Sequence, residues 1–132
     1  MPDLKVHTLN DTVCPHFNNA AHGVEIPPGA RVLFTNGQVG ARPDGTVPDD
    51  PAEQLEVIFE RLKTVLAASD MGFGDVVRFT VYVTDMDILD DYSRISQRLL
   101  QGHNPAAILL IVEGFPRPGV QVEVEVIAAR VA

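Results

Sequence analysis

VVRFTVYV, residues 76–83, consists of four valines, a phenylalanine, a tyrosine, a threonine and one arginine. β-Branched and aromatic side chains suit a pleated, half-buried surface, so the stretch reads as a strand. On its N-terminal side, Gly72 and Gly74 close a helical segment that starts near Asp50. There Asp50 can cap, Pro51 suits the first turn, and Glu53 completes a capping box. Leu55, Ile58, Phe59, Leu62, Val65 and Leu66 then recur at helical spacing and form one apolar stripe. On the C-terminal side, Asp85 or Asp87 caps a second helix. Ile88, Tyr92, Ile95 and Leu99 form its stripe and Gly102 ends it. A strand between two one-sided helices predicts a sheet with both helices on one face.

Further out, QGHNPAAILLIV (101–112) is a polar loop that runs through Pro105 into a buried strand from Ala106 to Val112. EGFPRPG (113–119) is a rigid turn. The last strand, Val120 to Ala128, sets Val120, Val122, Val124 and Val126 on one face, and Gln121, Glu123, Glu125 and Ile127 on the other. The short connection predicts that the last two strands pair antiparallel. Towards the N-terminus, DLKVHTL (3–9) alternates as a first strand, and residues 10–23 are irregular. ARVLFTNGQVG (30–40) is a strand running into a glycine turn, and RPDGTVPDD (42–50) is loop. The order β-β-α-β-α-β-β defines one α+β domain, residues 1–132, with a mixed sheet. Its second face is half apolar and bare, which points to oligomerisation.

A chain of 132 residues can bury a core without staples. The net charge of −8 and the scatter of ten Lys and Arg make nucleic acid a poor partner. The single Cys14 excludes an internal disulfide and a multi-cysteine metal site, and fits a reducing compartment. MPDLKVHTLN lacks the apolar segment of a signal peptide, and no apolar run reaches membrane-spanning length. The expectation is a cytoplasmic protein with no membrane contact, no metal and no cofactor.

Three groups of residues could carry chemistry. Glu123 and Glu125 share a strand face about 6.8 Å apart; they are either an acid–base pair or a wetted surface. Asn36-Gly37-Gln38 sits where a strand ends. Gly37 can expose backbone amides there and its two neighbours can hydrogen-bond a ligand, or it is a turn with none. His7, His16, His22 and His103 are dispersed; His16 and His22 share a loop with Asn18 and Asn19, more a solvated loop than a metal site. Gly72-Phe73-Gly74 lacks the third glycine of a dinucleotide fingerprint, and no serine has nucleophile-elbow glycines.

FTNGQVG (34–40), DVVRFTVYVTDM (75–86), HNPAAILLIV (103–112) and VEVEVIA (122–128), in this order and spacing, resemble the YjgF/RidA family, also described as translation inhibitors or endoribonucleases. The resemblance covers nearly the whole chain. It implies a chorismate-mutase-like fold and a homotrimer whose sheets form a central barrel. It also implies three clefts at the subunit boundaries, where one chain supplies Asn36 to Gln38 and another the segment after Pro105, with Glu123 nearby. Well-studied members hydrolyse 2-imino and enamine acids to 2-keto acids and ammonia. An arginine after the Pro-Ala pair grips the substrate carboxylate in a bidentate fork, neighbouring backbone groups polarise the imine, and a glutamate at the place of Glu123 orients water.

Here the arginine's place is taken by Ala107. Asn36 stands where serine is usual, Ala20 near a common tyrosine, and Asn104 in place of an aromatic. Gly37, Pro105 and Glu123 remain. Loss of a desolvated bidentate pair costs several kcal/mol of binding, so a free 2-imino acid is a poor substrate unless another cation moves in; Arg117, Arg31 and Arg78 are the candidates. Three readings follow. The chain is a divergent imine or enamine deaminase, with Glu123 acting on water while Asn36, Gly37, Gln38, Asn104, Pro105, Ala107 and Arg117 bind the substrate. Alternatively it is a non-catalytic trimer that binds a small metabolite. A ribonuclease is disfavoured by charge and by the lack of a histidine pair.

Overall fold

The computed structural model describes residues 3–16 and 19–132, which leaves Asn18 of the first loop outside the described residues. Val76–Val83 (β5) runs through the middle of a five-stranded mixed sheet. The long segment expected at 30–40 forms two strands, Ala30–Phe34 (β3) and Gln38–Val39 (β4), broken at residues 35–37. Both pair antiparallel with Val122–Val131 (β7). Ala106–Ile111 (β6) pairs parallel with β5 on its other side. The order is therefore β3-β7-β5-β6, with β4 alongside β7.

This order corrects the expected pairing of the last two strands. They do run in opposite directions, but β5 lies between them. The ten residues 112–121 reach about 30 Å when extended, ample for crossing one intervening strand. In that central place β7 uses both of its edges, and Val122, Val124 and Val126 are almost wholly buried. The first strand, Lys5–His7 (β1), is also displaced. It forms a separate two-stranded ribbon with Gly23–Glu25 (β2), a strand whose three residues carry no alternating signal.

Both helices pack on one face, as their stripes require. Pro51–Ala67 (α1) buries Leu55, Ile58, Phe59, Leu62 and Leu66; Val65, expected among them, lies half-buried on the flank. Ile88–Leu100 (α2) buries Ile88, Tyr92 and Ile95. The two helices meet β5 in an aromatic cluster: Phe59 lies 6.1 Å from Phe79 and 6.2 Å from Tyr92 between ring centroids. Asp50 caps α1 through the Ala52 amide at 3.0 Å. Glu53 does not close the expected capping box; its carboxylate extends to Arg42, 3.6 Å away.

Gln54 was not expected in the core and is fully buried. Its amide donates to Pro48 O at 2.8 Å and Gly119 O at 2.9 Å, and its oxygen accepts from Gln121 N at 2.9 Å. One side chain thus ties α1 to the loop before it and to the approach to β7. Gly40 permits the close approach, because a Cβ there would stand 2.6 Å from Gln54 Cα. Backbone cannot yield as a side-chain tip can. Gly40→Ala is expected to cost about 1–3 kcal/mol, read as a lower urea midpoint at unchanged slope.

The second face of the sheet carries Arg78, Thr80 and Tyr82 from β5 and Glu123, Glu125 and Ile127 from β7, by strand register. Val32, Phe34, Ile108 and Leu110 share that face and are exposed; Phe34 is 72% accessible. It is the half-apolar bare surface that the patterning predicts.

Candidate functional site

At the break between β3 and β4, Thr35 bonds Val126 twice. The Thr35 amide donates to Val126 O, and the Val126 amide to Thr35 Oγ1, both at 3.0 Å. The chain then turns through Asn36 and Gly37 before β4 re-pairs, Gln38 opposite Val124 and Val39 opposite Glu123. This lays Gly37 on the Glu123 carboxylate: a Cβ at residue 37 would sit 2.5 Å from Oε1. Glycine is what lets backbone and carboxylate meet. Gly37→Ala is expected to cost little stability, because a flexible carboxylate tip can swing aside. It should lower any Glu123-dependent turnover about 10²-fold, since an ångström of misplacement has that effect. A melting curve beside a rate measurement separates the two.

The Gln38 side chain points the other way, toward α1. Its Nε2 donates to Asn36 O at 3.2 Å and its Oε1 accepts from Arg61 Nε at 3.0 Å. Arg61 Nη1 also donates to Val39 O at 3.0 Å and Ala41 O at 3.2 Å. Gln38 thus braces the turn from behind, and Arg61, unremarked in the sequence, anchors it to the helix. The Arg61 position shows only as one more charge on a helix, so nothing local marks it.

Glu123 stands in one row across the sheet with Tyr82 and Leu110. Partial burial, and then the Glu125 charge, push its carboxyl above the ordinary value of 4.5. Tyr82 OH donates to Glu125 Oε1 at 3.1 Å, so Glu125 has a partner. Burial, followed by that bond, raises the phenol in turn. Tyr82 was legible by counting parity along residues 76–83, once it was known which face the opposing glutamates take. Arg78 lies on the same face with a buried Nε that has no hydrogen-bond partner among the described residues.

The second group of predicted residues lies elsewhere. Ala107 stands in a row with Phe79 and Val126, on the helix side of the sheet. With Ala20, Asn104, Pro105, Tyr92 and Leu109 it bounds a hollow of about 20 Å³. The first loop is sewn to it by Ala21 N, which donates to Pro105 O at 3.1 Å. The positions where relatives were expected to carry a tyrosine and an arginine, Ala20 and Ala107, therefore meet in one small apolar crevice. Glu123 and Ala107 lie on opposite faces of the sheet, with β5 between their strands. Within one chain, Asn36, Gly37 and Glu123 lie together while the 103–107 loop and Ala107 lie on the other face, so the residues expected at the clefts fall into two separate groups, and Glu123 goes with the turn rather than with the segment after Pro105.

Two of the three candidate cations are engaged elsewhere in this chain, whereas Arg78 stays on the Glu123 face. Arg117 reaches the loop at residue 45, donating to Gly45 O at 2.8 Å, and Arg31 donates to Ser69 O at 3.1 Å. His22 spends both ring nitrogens on backbone: Nδ1 accepts from Leu9 N at 3.0 Å, and Nε2 lies 2.8 Å from Cys14 O. It is a brace for the first loop.

Comparison with known proteins bears on the family and the fold. The family model described as Endoribonuclease L-PSP fits residues 20–130. Protein DfrA of Myxococcus xanthus is 35% identical over 113 residues, 82% of each chain. The 2-iminobutanoate/2-iminopropanoate deaminase of mouse is 32% identical over 102 residues, 76% of this chain and 75% of the relative. YyfB of Yersinia pestis, a solved structure of the Rid protein family, superposes with a TM-score of 0.87 at 24% identity, covering 98% of this chain and 100% of its own. The chain belongs to the endoribonuclease L-PSP family, known also as YjgF/RidA, and its mixed sheet with two helices fits that family's chorismate-mutase-like α+β fold. Reactive-intermediate and imine deaminases are among its homologues.

Proposed function

We propose that this chain forms a homotrimer through its bare sheet faces. It would hydrolyse a reactive imine or enamine at the clefts between copies, with no cofactor. The observation that carries the reading is the division of the site. Gly37 and Glu123 lie together on one face, and Asn104, Pro105 and Ala107 lie on the other side near the free edge of β6. Only a neighbouring copy can bring the second half-site against the first.

The chemistry needs one group that moves a proton. Glu123, as carboxylate, accepts a proton from water while the water oxygen bonds to the imine carbon. The proton then passes to nitrogen to give a carbinolamine; Glu123 next carries the hydroxyl proton to the same nitrogen, the C–N bond breaks as the carbonyl forms, and ammonia leaves. The amides around Gly37 and the Asn36 side chain hold polar groups of the substrate. Arg117 is assigned no part in this chain's own half-sites, given its bond to Gly45.

The substrate is neutral, or carries its carboxylate away from the imine carbon. The apolar crevice at Ala20 and Ala107 offers no fork, and a desolvated charge pair is worth about 2–5 kcal/mol. Ammonia release is therefore expected to be faster from neutral imines than from 2-iminopropanoate, in a competition assay against pure trimer. Equal or faster turnover of the 2-imino acid removes the altered-substrate reading.

The missing arginine at Ala107 supports a second reading, a trimer that binds a small metabolite without turning it over. A ligand that raises the melting temperature but releases no ammonia supports that alternative. Ribonuclease action gains nothing from the site: the chain carries a net charge of −8.

A further inference from the structure

Three of the chain's ten basic residues converge at one place on the α1 side of residues 38–42. Arg42, Arg61 and Arg117 bound a hollow of about 450 Å³ beside the 42–46 turn. Two of them are held in position. Arg61 is fixed by Gln38, Val39 O and Ala41 O, and Arg117 by Gly45 O. Arg42 forms a loose ion pair with Glu53 at 3.6 Å, which an incoming carboxylate would share. Among the described residues, no carboxylate hydrogen-bonds any of the three, in a chain with 18 acidic side chains. Guanidiniums fixed by neutral carbonyls keep their charge available to an incoming anion.

The hollow opens into a trough of about 590 Å³ along the outer side of α1, and the two share Ala41, Arg42, Pro43 and Arg61. Val57, Val65 and Pro43 supply apolar wall. The half-burial of Val65 on the flank of the core stripe is what exposes it there. Glu60 also lines the trough, and Glu56 does so while committed to Arg98 at 2.8 Å. These carboxylates disfavour an anion along the trough and leave the arginine end as the place for one. A cavity of this size, apolar along its length and cationic at one end, matches a small-molecule site.

We propose that the trough and its arginine end form a second binding site, for a small amphipathic carboxylate whose chain lies over Val57 and Val65 and whose head meets Arg42 and Arg117. The site does not depend on Glu123 or on the deaminase reading.

The test is an NMR titration of the full-length protein with octanoate, with octan-1-ol and inorganic phosphate as the two partial probes. Octanoate is expected to shift the Val57 and Val65 resonances saturably, and each partial probe to bind about tenfold more weakly or worse. The double variant Arg42→Ala/Arg117→Ala, at positions that spare the Arg61 brace, is expected to weaken octanoate by a similar factor. Rising salt should weaken octanoate on the unaltered protein, a readout that survives if the variant folds poorly. Octan-1-ol or phosphate binding as tightly as octanoate overturns the proposal. So do shifts confined to other residues, or an affinity indifferent to both salt and the double variant.

Discussion

Glu123→Gln is expected to lower ammonia release from a turned-over imine by about 10²–10⁴-fold, the range supplied by a positioned proton-transfer group. The amide keeps the size of the side chain and its seat beside Gly37, so binding of the substrate should persist while turnover fails. Undiminished release would remove Glu123 from the chemistry. The same residue predicts a pH profile. Burial and then Glu125 raise its carboxyl above 4.5, and the carboxylate is the active form. Turnover should therefore rise with pH on a limb above the usual carboxylate range, and Glu125→Gln should move that limb down by removing the second cause. Stability runs in the opposite direction. The folded protein holds this proton more tightly than the unfolded chain, so the contribution is full below the ordinary pKa and is lost as pH rises through the raised one. At neutral pH, Glu123→Gln should therefore melt higher than the unaltered protein, and the difference should vanish in acid.

Leu110→Glu is expected to abolish assembly. Leu110 is 44% exposed in the single chain and stands in the same row as Tyr82 and Glu123. On an assembled face, each copy would have to bury a new carboxylate beside two existing ones, an unpaired charge that costs several kcal/mol. The helix-side core is untouched, so the monomer should fold, and sedimentation should show one-third of the trimer mass. Turnover should fall with assembly, because the half-sites of separate copies no longer meet. A Leu110→Glu protein that stays trimeric would show that the sheets do not join face to face. Ile108 and Leu110 lie exposed on that face, on an edge strand with unpaired backbone, a surface that natural proteins seldom leave open.

Parity and period were legible residue by residue. The valine row of β7 with Glu123 and Glu125 opposite follows from the two-residue repeat of a strand. The helix stripes around Phe59 and Tyr92 follow from the helical repeat in the same way. Local turn chemistry marked Gly37 as a turn glycine able to expose backbone amides, and the fold alone set it against the Glu123 carboxylate. The capping box at Glu53 does not form, and its carboxylate instead pairs loosely with Arg42, which lies outside the local pattern. Gln54 was unreadable because a polar residue in a core is justified only by the carbonyls around it, and those come from residues 48 and 119.

The amino-acid order alone thus determined the two helices and the strands β5, β6 and β7 to within a few residues, which side of those strands their side chains take, and the family to which their pattern belongs. Those properties depend on neighbours a few residues apart. Tertiary structure alone decided that β5 separates β6 from β7, that Arg61 braces the turn over Glu123, and that Ala20 and Ala107 share a crevice on the far side of the sheet. Each of those depends on which distant segments compete for the same strand edge or the same acceptor, and a local repeat carries no information about that competition.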